Sequence, residues 1–568
     1  MVDLLRHRAT VQPGDRAYVF LSERGAEDVS LTFAELDRRA RAVAASLARH
    51  AQKRDRAVLM FPPGIEFIVG FFGCLLADVI PVPMMPPRRT NLRDPNLNII
   101  VDCAPRFVLT TKALIDTRTD IIERLRDFSL EWIAVDAVAD GPADAAALPA
   151  SPKREDVAFL QYTSGSTSAP KGVMVTHDNL LQNLEMIRVA FGNTQRSTFA
   201  AWIPFYHDMG LVLNVLEPLF LGALCVVLSP TSFIQRPLTW LRAIGQYRAE
   251  VASAPNFAYD LCVDRFRAEQ MEGVDLSCWQ IALNGAEPVR AATIEQFVAK
   301  FRPYGFNPRS MYPAYGMAEA TLLISGGSRG REVVTRTVSR EALQGGKAVA
   351  PTSGEDARVL VGCGRAVVGE DIAIVDPEAL RRLSADEVGE IWVRGPNVAA
   401  GYWRNAEATA ATFAGRIAGA GDETWLRTGD LGFLDRDGEL YITGRIKDLI
   451  IVYGMNHYPQ DIEATMQAAH PALRKNGGAA FSVVDQRGEE KLVLVQEVER
   501  TQRHHVSTDD IASCIREAVM NEHDVAPQKI VLIRPGTIPK TTSGKIQRSL
   551  TRRLWQEDAL EVLERTES

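Results

Sequence analysis

The sequence has little cysteine, and none of it is spaced like a metal site. Seven cysteines are scattered through 568 residues, and no C-x-x-C pair occurs. This pattern argues against a structural zinc site and against a disulfide framework. Free cysteines are typical of a reducing compartment, so we expect a cytoplasmic protein.

An excess of basic residues is also missing, and so are long hydrophobic runs. The formal net charge is −7, which gives no indication of a nucleic-acid partner. The most apolar windows, Phe67–Ala77 and Leu219–Leu228, are too short to span a bilayer. Met1–Thr10 carries basic residues with no apolar run behind them, so no signal peptide is expected. We therefore predict a protein that is not integral to a membrane.

Helices and strands alternate through the first part of the chain. Leu31–His50 has apolar residues at helical spacing, with Thr32 as N-cap and Glu35 completing a capping box. Strands alternating with helices indicate an α/β fold with a doubly wound sheet. Three short apolar segments are predicted strands: Ala57–Phe61, Val79–Val82 and Phe107–Thr110.

The character of the chain changes near Ile446. Beyond it we predict strands at Gly477–Val484 and Lys491–Val498 and an amphipathic helix at Asp509–Asn521. These elements form a small α+β unit. We therefore divide the chain into a large N-terminal domain, residues 1–445, and a small C-terminal domain, residues 446–568.

One stretch, Tyr162–His177 (YTSGSTSAPKGVMVTH), reads as strand, small-residue loop and strand. Glycine lets the backbone come close to a ligand, hydroxyls donate to oxygens, and a lysine adds positive charge, so the loop suits a phosphate. A solvated Gly/Ser loop is the alternative. The candidate phosphate-binding residues are Thr163, Ser164, Gly165, Ser166, Thr167 and Lys171.

Further stretches carry polar or aromatic residues at strand ends and turns. They are AAWIPFYHDMG (200–210), IALNGAEP (281–288), PAYGMAEAT (313–321), WLRTGDL (425–431), GRIKD (444–448) and PKTTSGKIQR (539–548). Taken singly, each has a structural explanation: a satisfied histidine, a core tyrosine, an Asx turn or a solvated lysine loop.

Together, these stretches resemble the motifs of the adenylate-forming superfamily: acyl-CoA ligases, adenylation domains and luciferases. The resemblance covers nearly the whole chain and is strongest to the fatty acyl-AMP ligases. It implies a large N-terminal domain of doubly wound sheets with a distorted β-barrel subdomain, and a small, mobile α+β C-terminal domain.

The resemblance also implies a role for individual residues. Lys545 and His207 would be catalytic, Asp430 and Arg445 would bind ribose, and Lys447 would be the hinge between the domains. Glu319 and Thr167 would hold Mg²⁺. The adenine of ATP would be bound by Gly285, Ala286, Glu287, Tyr315, Gly316 and Met317.

The acceptor of the activated acyl group is decided by other parts of the chain. The blocks LTFAELDRRARAVAASL and GRIKDLIIVYGMNHYPQDIE resemble fatty acyl-AMP ligases. Arg331–Gly362 resembles the insertion that is thought to impede the domain rotation needed for transfer to CoA. A surface loop is the alternative for this segment, but its apolar residues predict some packing: Val333, Val334, Val338, Leu343 and Val349. ATP, Mg²⁺, a fatty acid and an acyl carrier protein in trans are therefore implied.

Two alternatives stay open at this point. One is a fatty acyl-CoA ligase, which would be recognised by acyl-CoA formation from free CoA. The other is an inactive relative that binds a nucleotide or lipid. The joint presence of Lys171, Glu319, Asp430, Arg445 and Lys545 argues against an inactive relative.

Overall fold

A computed structural model describes residues 1–87, 95–139, 148–163, 170–452, 455–484, 490–502, 507–541 and 544–563. The strands, in chain order, are β1 (Arg16–Leu21), β2 (Glu27–Thr32), β3 (Arg56–Leu59), β4 (Ile80–Pro83), β5 (Phe107–Thr110), β6 (Glu131–Ala134), β7 (Val157–Thr163), β8 (Lys171–Thr176), β9 (Thr198–Ala201), β10 (Leu224–Leu228), β11 (Val251–Ala254), β12 (Ile281–Asn284), β13 (Met311–Gly316), β14 (Leu323–Gly326), β15 (Thr335–Ser339), β16 (Ala357–Val361), β17 (Arg365–Ala366), β18 (Asp371–Val375), β19 (Gly389–Arg394), β20 (Leu426–Leu434), β21 (Leu440–Arg445), β22 (Ile450–Val452), β23 (Met455–His457), β24 (Leu473–Val484), β25 (Glu490–Val498) and β26 (Lys529–Ile533).

The α-helices, in the same order, are α1 (Val2–Val11), α2 (Phe33–Ala48), α3 (Ile65–Leu76), α4 (Pro95–Cys103), α5 (Lys112–Thr117), α6 (Thr119–Arg124), α7 (His177–Phe191), α8 (Glu217–Leu221), α9 (Pro230–Gln235), α10 (Leu238–Tyr247), α11 (Asn256–Asp264), α12 (Ala291–Phe301), α13 (Arg340–Gln344), α14 (Ala406–Phe413), α15 (Pro459–Ala468), α16 (Thr508–His523) and α17 (Arg548–Gln556). A π-helical segment, Met209–Leu216, leads into α8.

The largest sheet has nine strands in the order β17-β14-β13-β12-β11-β9-β10-β1-β2. Its central strands, from β13 to β1, all pair in parallel. Parallel sheets are covered on both faces, which explains why every residue of β11 and β12 is buried. Ligands of such folds bind beyond the carboxyl ends of the strands, and the stretch IALNGAEP leaves β12 at such an end.

A second parallel sheet has the order β4-β3-β5-β6. Its first three strands overlap the three that the sequence predicts. The α2 helix starts with the predicted capping box, because the side chain of Thr32 accepts from the backbone N–H of Glu35 and the Glu35 carboxylate accepts from that of Thr32. α3 is buried on nearly all sides and packs on α2, so its apolar run belongs to the core.

The β-rich part after β14 contains a four-stranded antiparallel sheet, β18 to β21, and the hairpin β15–β16. Beyond β21, a three-stranded sheet, β24-β25-β26, packs with α15 and α16 around its own core. The predicted α/β class, with a large N-terminal and a small C-terminal domain, is confirmed. The division at residues 445 and 446 stays a prediction.

Among the residues that the structure describes, no helix combines the length and the hydrophobicity that a bilayer span needs.

Candidate active site

Tyr315, Asp430 and Arg445 form a hydrogen-bonded cluster. Tyr315 lies near the end of β13, whereas Asp430 and Arg445 face each other as paired residues of β20 and β21. The Tyr315 hydroxyl donates to Oδ2 of Asp430 at 2.8 Å, and Nε of Arg445 donates to Oδ1 at 2.7 Å. The fold thus brings together three residues that lie up to 130 positions apart, about which the sequence alone made no contact prediction.

Asp430 lies between a hydroxyl donor, Tyr315, and a cation, Arg445. Burial and the neighbouring Asp430 raise the pKa of Tyr315 well above its usual range, so its hydroxyl remains a donor. Asp430 also raises the pKa of Arg445, although the arginine side chain is half-exposed. A carboxylate held this way at a strand edge can accept hydrogen bonds from a sugar diol.

Glu319 and Lys171 are linked through Tyr402. The Tyr402 hydroxyl donates to Oε1 of Glu319 at 2.8 Å, and the ammonium of Lys171 lies 4.7 Å from the Tyr402 ring centroid. Burial raises the pKa of Glu319, while the bond from Tyr402 opposes the rise. A buried carboxylate near a lysine can recover its charge when a cation binds.

Mg²⁺ usually takes one or two carboxylates together with substrate phosphates. Glu319 is the carboxylate that the sequence predicts for this role, and the role stays a prediction. No group of three or more histidine, cysteine, aspartate or glutamate side chains with metal-site geometry occurs among the described residues. The other predicted ligand, Thr167, lies outside the described residues, as do Ser164, Gly165 and Ser166. Thr163 pairs with Lys171 across the strands β7 and β8, which lead into and out of the loop.

The turn after β12 carries the predicted adenine-binding segment. Ala286 has φ +71°, in the left-handed region that non-glycine residues rarely adopt. Oε1 of Glu287 is buried without a hydrogen-bond partner. Met317, from the second adenine segment, donates its backbone N–H to the carbonyl of Leu322 at 2.9 Å. The strained and unpaired groups beyond the carboxyl end of the sheet mark this edge as the candidate nucleotide side.

His207 lies at the corner between β9 and the π-helical segment. Its Nδ1 is 2.6 Å from Oδ1 of Asp208, which also accepts from the backbone N–H of Met209 at 2.7 Å. Burial would raise the pKa of Asp208, but His207 and Lys545 lower it overall. A charged Asp208 therefore lies close to both predicted catalytic residues.

Lys545 reaches this region from the C-terminal unit. Its loop closes on itself, because Thr541 donates its N–H to the Lys545 carbonyl at 2.7 Å and accepts at Oγ1 from the Lys545 N–H at 3.0 Å. Gly544 has φ +84°, and a side-chain carbon there would lie 2.8 Å from the Phe257 ring, so this position requires glycine. The loop therefore packs against α11 of the large domain.

The charge environment of Lys545 is mixed. Burial and Arg445 lower its pKa, whereas Asp208, Glu287 and Asp430 oppose the shift. The lysine is therefore within electrostatic reach of residues from four separate motifs. The sequence suggested these motifs individually, and the structure brings them together. The catalytic role of Lys545 stays a prediction.

The segment Arg331–Gly362 folds into β15, α13 and β16 and contacts the C-terminal unit. Arg340 pairs with Glu522, and Arg358 lies 3.0 Å from Asp461. The carbonyl of Leu343 accepts from the Tyr458 hydroxyl at 3.4 Å. These contacts exist in the same arrangement that brings Lys545 to the site.

The packing of this segment differs in part from the expectation. Val338 and Leu343 are buried in a cluster with Phe433 and Tyr458, as their pattern predicted. Val334 and Val349 are both 46% exposed, so the predicted packing is wrong for these two residues. Lys447, the predicted hinge, lies exposed in a single 3-10 turn, Ile446–Asp448.

Sequence reasoning missed Tyr402, Asp208, Phe257 and Asn397. Tyr402 and Asn397 lie in GEIWVRGPNVAAGYW (389–403), which the sequence predicts to be a strand and a turn with no assigned role. No local pattern marks either residue, because their partners are about 80 residues away along the chain.

Comparisons with known proteins agree with this geometry. Residues 5–403 match the AMP-binding enzyme family, and residues 447–565 match the AMP domain of Disco-interacting protein 2-like proteins. The medium-chain-fatty-acid–[acyl-carrier-protein] ligase JamA of Moorena producens is 43% identical over 99% of this chain and 96% of its own. TtuA of Teredinibacter turnerae, with the same description, is 37% identical over 97% of this chain and 92% of its own.

Solved structures give the same result. The fatty acyl-adenylate ligase of Legionella pneumophila, solved with acyl adenylate and pyrophosphate, is 40% identical, with a TM-score of 0.76. The match covers 99% of this chain and 97% of that one. The predicted resemblance to fatty acyl-AMP ligases is confirmed, and the chain belongs to the AMP-binding enzyme family.

Proposed function

We propose that the protein activates a fatty acid with ATP, forming fatty acyl-adenylate and releasing pyrophosphate. It then passes the acyl group to the phosphopantetheine thiol of an acyl carrier protein. The observation that carries the proposal is the position of Lys545, which is within electrostatic reach of Arg445, Asp208 and Asp430 although it belongs to the other domain. A cation brought to charged groups of the large domain suits a reaction between two anions.

The chemistry follows from charge. A fatty-acid carboxylate and ATP repel each other, so the site must neutralise both and hold them in line. A carboxylate oxygen attacks the α-phosphorus, the bond to the bridging oxygen breaks, and pyrophosphate leaves with that electron pair. Lys545 would contact the carboxylate and the α-phosphate and stabilise the charge that develops between them.

The remaining residues would bind and orient the nucleotide. Asp430 and Arg445 would hold the ribose, Tyr315 and the turn at Gly285–Glu287 would hold adenine, and the loop with Lys171 would bind the phosphates. Glu319 would hold Mg²⁺ together with Thr167, and the metal supplies charge neutralisation on the phosphates when bound. His207 would help to shape the carboxylate side, next to Asp208.

The relatives named as acyl-carrier-protein ligases support the proposed acceptor. The contacts of Arg331–Gly362 with the C-terminal unit also support it, since they would resist the rotation that free CoA requires. All seven cysteines are free, which fits a cytoplasmic enzyme.

The test is ATP–pyrophosphate exchange over a series of fatty acids, followed by separate additions of free CoA and a holo carrier protein. We expect exchange that depends on fatty acid and acyl transfer to the carrier. Efficient acyl-CoA formation would favour the acyl-CoA ligase alternative. Exchange that is absent with every fatty acid would reject the adenylation itself.

Replacing Asp430 with alanine should weaken ATP binding by roughly 1–3 kcal/mol, as expected for the loss of charge-assisted hydrogen bonds. Calorimetry measures the change directly. Asp437→Ala, at an exposed turn between β20 and β21, is the matched control and should leave the affinity unchanged. Equal ATP affinity in a folded Asp430→Ala protein would remove the ribose role.

A further inference from the structure

The turn directly after Glu319 is strained. Thr321 has φ +66° and ψ −59°, and the N–H of Leu322 donates to the carbonyl of Ala320 at 2.7 Å. This is the rarer form of γ-turn, and a β-branched residue at its centre is an unusual occupant. Such a conformation persists only where the surrounding structure holds it.

Asn397 holds this turn from both sides. Its Nδ2 donates to the carbonyls of Ala320 and Leu323, both at 3.2 Å. The backbone carbonyl of Asn397 accepts a hydrogen bond from Oγ1 of Thr321 at 2.7 Å. Because both amide hydrogens go to carbonyl groups, the orientation of the amide is fixed and Oδ1 must point the other way.

Oδ1 of Asn397 lies beside Gly395, as does the carboxyl of Glu370, and has no hydrogen-bond partner. Neither carboxyl oxygen of Glu370 has one either, and all three oxygens are buried. Both groups crowd Gly395: a carbon added there would lie 2.3 Å from Oε2 of Glu370 and 2.5 Å from Oδ1 of Asn397. In a buried site, a charged Glu370 carboxylate and the amide oxygen of Asn397 would repel each other. A proton on the carboxyl removes this charge and allows Glu370 to donate a hydrogen bond to Oδ1 of Asn397.

The electrostatic surroundings agree with that proton. Burial raises the pKa of Glu370 to about 8; the neighbouring side chain of Asn397 opposes the rise and Asp371 adds to it. Asp371 is itself paired with Arg394, whose Nη2 is 2.6 Å from its Oδ2. The direction of the shift favours a protonated Glu370 near neutral pH, which is the form that the facing oxygens require.

We propose that Glu370 is a positioning residue, which donates a hydrogen bond to Asn397 and thereby keeps the strained turn behind Glu319 in place. When Glu370 ionises, Asn397 loses that bond and faces a negative charge. The turn then loses its support, and the carboxylate of Glu319 is no longer fixed for its ligand. The activity part of this inference rests on the proposed adenylation.

The test compares wild type with Glu370→Gln, since glutamine is nearly isosteric and donates at every pH. Exchange of pyrophosphate into ATP is measured from pH 7 to pH 9 for both proteins. The ratio of wild-type to variant activity should fall about tenfold over this range, because about one carboxyl in ten keeps its proton one unit above a pKa of about 8. The ratio cancels the separate titration of Lys545, which both proteins share.

A ratio that stays constant from pH 7 to pH 9 would overturn the inference, whereas absent exchange in wild type would overturn the proposed function instead.

A second measurement does not depend on enzyme activity. The infrared difference spectrum between wild type and Glu370→Gln should contain a protonated-carboxyl band at pH 7 that is lost by pH 9, because other buried carboxyls, such as Glu319, are common to both proteins and cancel. Asn397→Ala should lower exchange at pH 7 and abolish the difference between Glu370 and glutamine in the double variant. No such band in the difference spectrum at pH 7 would contradict the proposed proton.

Discussion

Lys545→Ala should lower the rate of adenylate formation by at least 100-fold, on the order of 3 kcal/mol in the activation barrier. The lysine is within electrostatic reach of Arg445, Asp208 and Asp430, so its charge could act on the reacting carboxylate and phosphate of the proposed reaction. ATP binding should persist, because the ribose cluster belongs to the large domain. Single-turnover formation of acyl-AMP and calorimetry with ATP separate the two effects.

Lys529→Ala is the matched control for this change. Lys529 is an exposed lysine of the same C-terminal unit, at the start of β26, and its removal should leave the rate within twofold. Lys545→Arg keeps the charge and should recover part of the rate. Near-normal adenylation by Lys545→Ala would show that the reaction does not use this lysine.

Breaking the contacts of Arg331–Gly362 should change the product. Arg340→Glu and Arg358→Glu place like charges against Glu522 and Asp461, and Leu343→Asp disrupts the buried cluster around Tyr458. A loss of about 1–3 kcal/mol in domain contacts shifts a conformational population by 5–150-fold. We expect acyl-CoA formation to rise by at least about tenfold in the combined variant, with acyl-AMP formation preserved.

Two controls come from the same segment. Val334→Asp and Val349→Asp introduce charges at positions that are already half-exposed, so neither should alter the product. Separation of acyl-AMP from acyl-CoA after incubation with ATP, fatty acid and CoA gives the readout. If the combined variant adenylates normally yet makes no additional acyl-CoA, this segment is not what excludes CoA. The ligase assignment would then stand without that explanation.

Local patterns predicted the secondary structure well where burial follows a regular period. The capping box of α2, the strand β5 and the helix α16 all lie at or close to their predicted positions, because each depends on neighbouring residues. The exposure of Val334 and Val349 could not be predicted the same way. They lie in a segment whose inward face is chosen by distant partners, such as Tyr458.

The residues of the candidate site fall into the same two groups: those marked by a local motif and those that depend on distant partners. Lys171, Glu319, Asp430 and Lys545 stand out in the sequence because each lies in a distinctive motif. Tyr402 does not, since its value comes from a hydrogen bond to a carboxylate 83 residues away. Glu370 and Asn397 are further examples: only the fold shows that their oxygens face each other without a donor between them.

The hydrogen bonds of Asp430 have a consequence for turnover. Both of its oxygens are already occupied by donors of the protein itself, Tyr315 and Arg445. Each carboxylate oxygen keeps a second lone pair, so a ribose diol could add to these bonds without displacing them. Because Tyr315 and Arg445 already fix the orientation of the carboxylate, the proposed ribose contacts would need no rearrangement of this side chain in each catalytic cycle, which lowers the cost of binding.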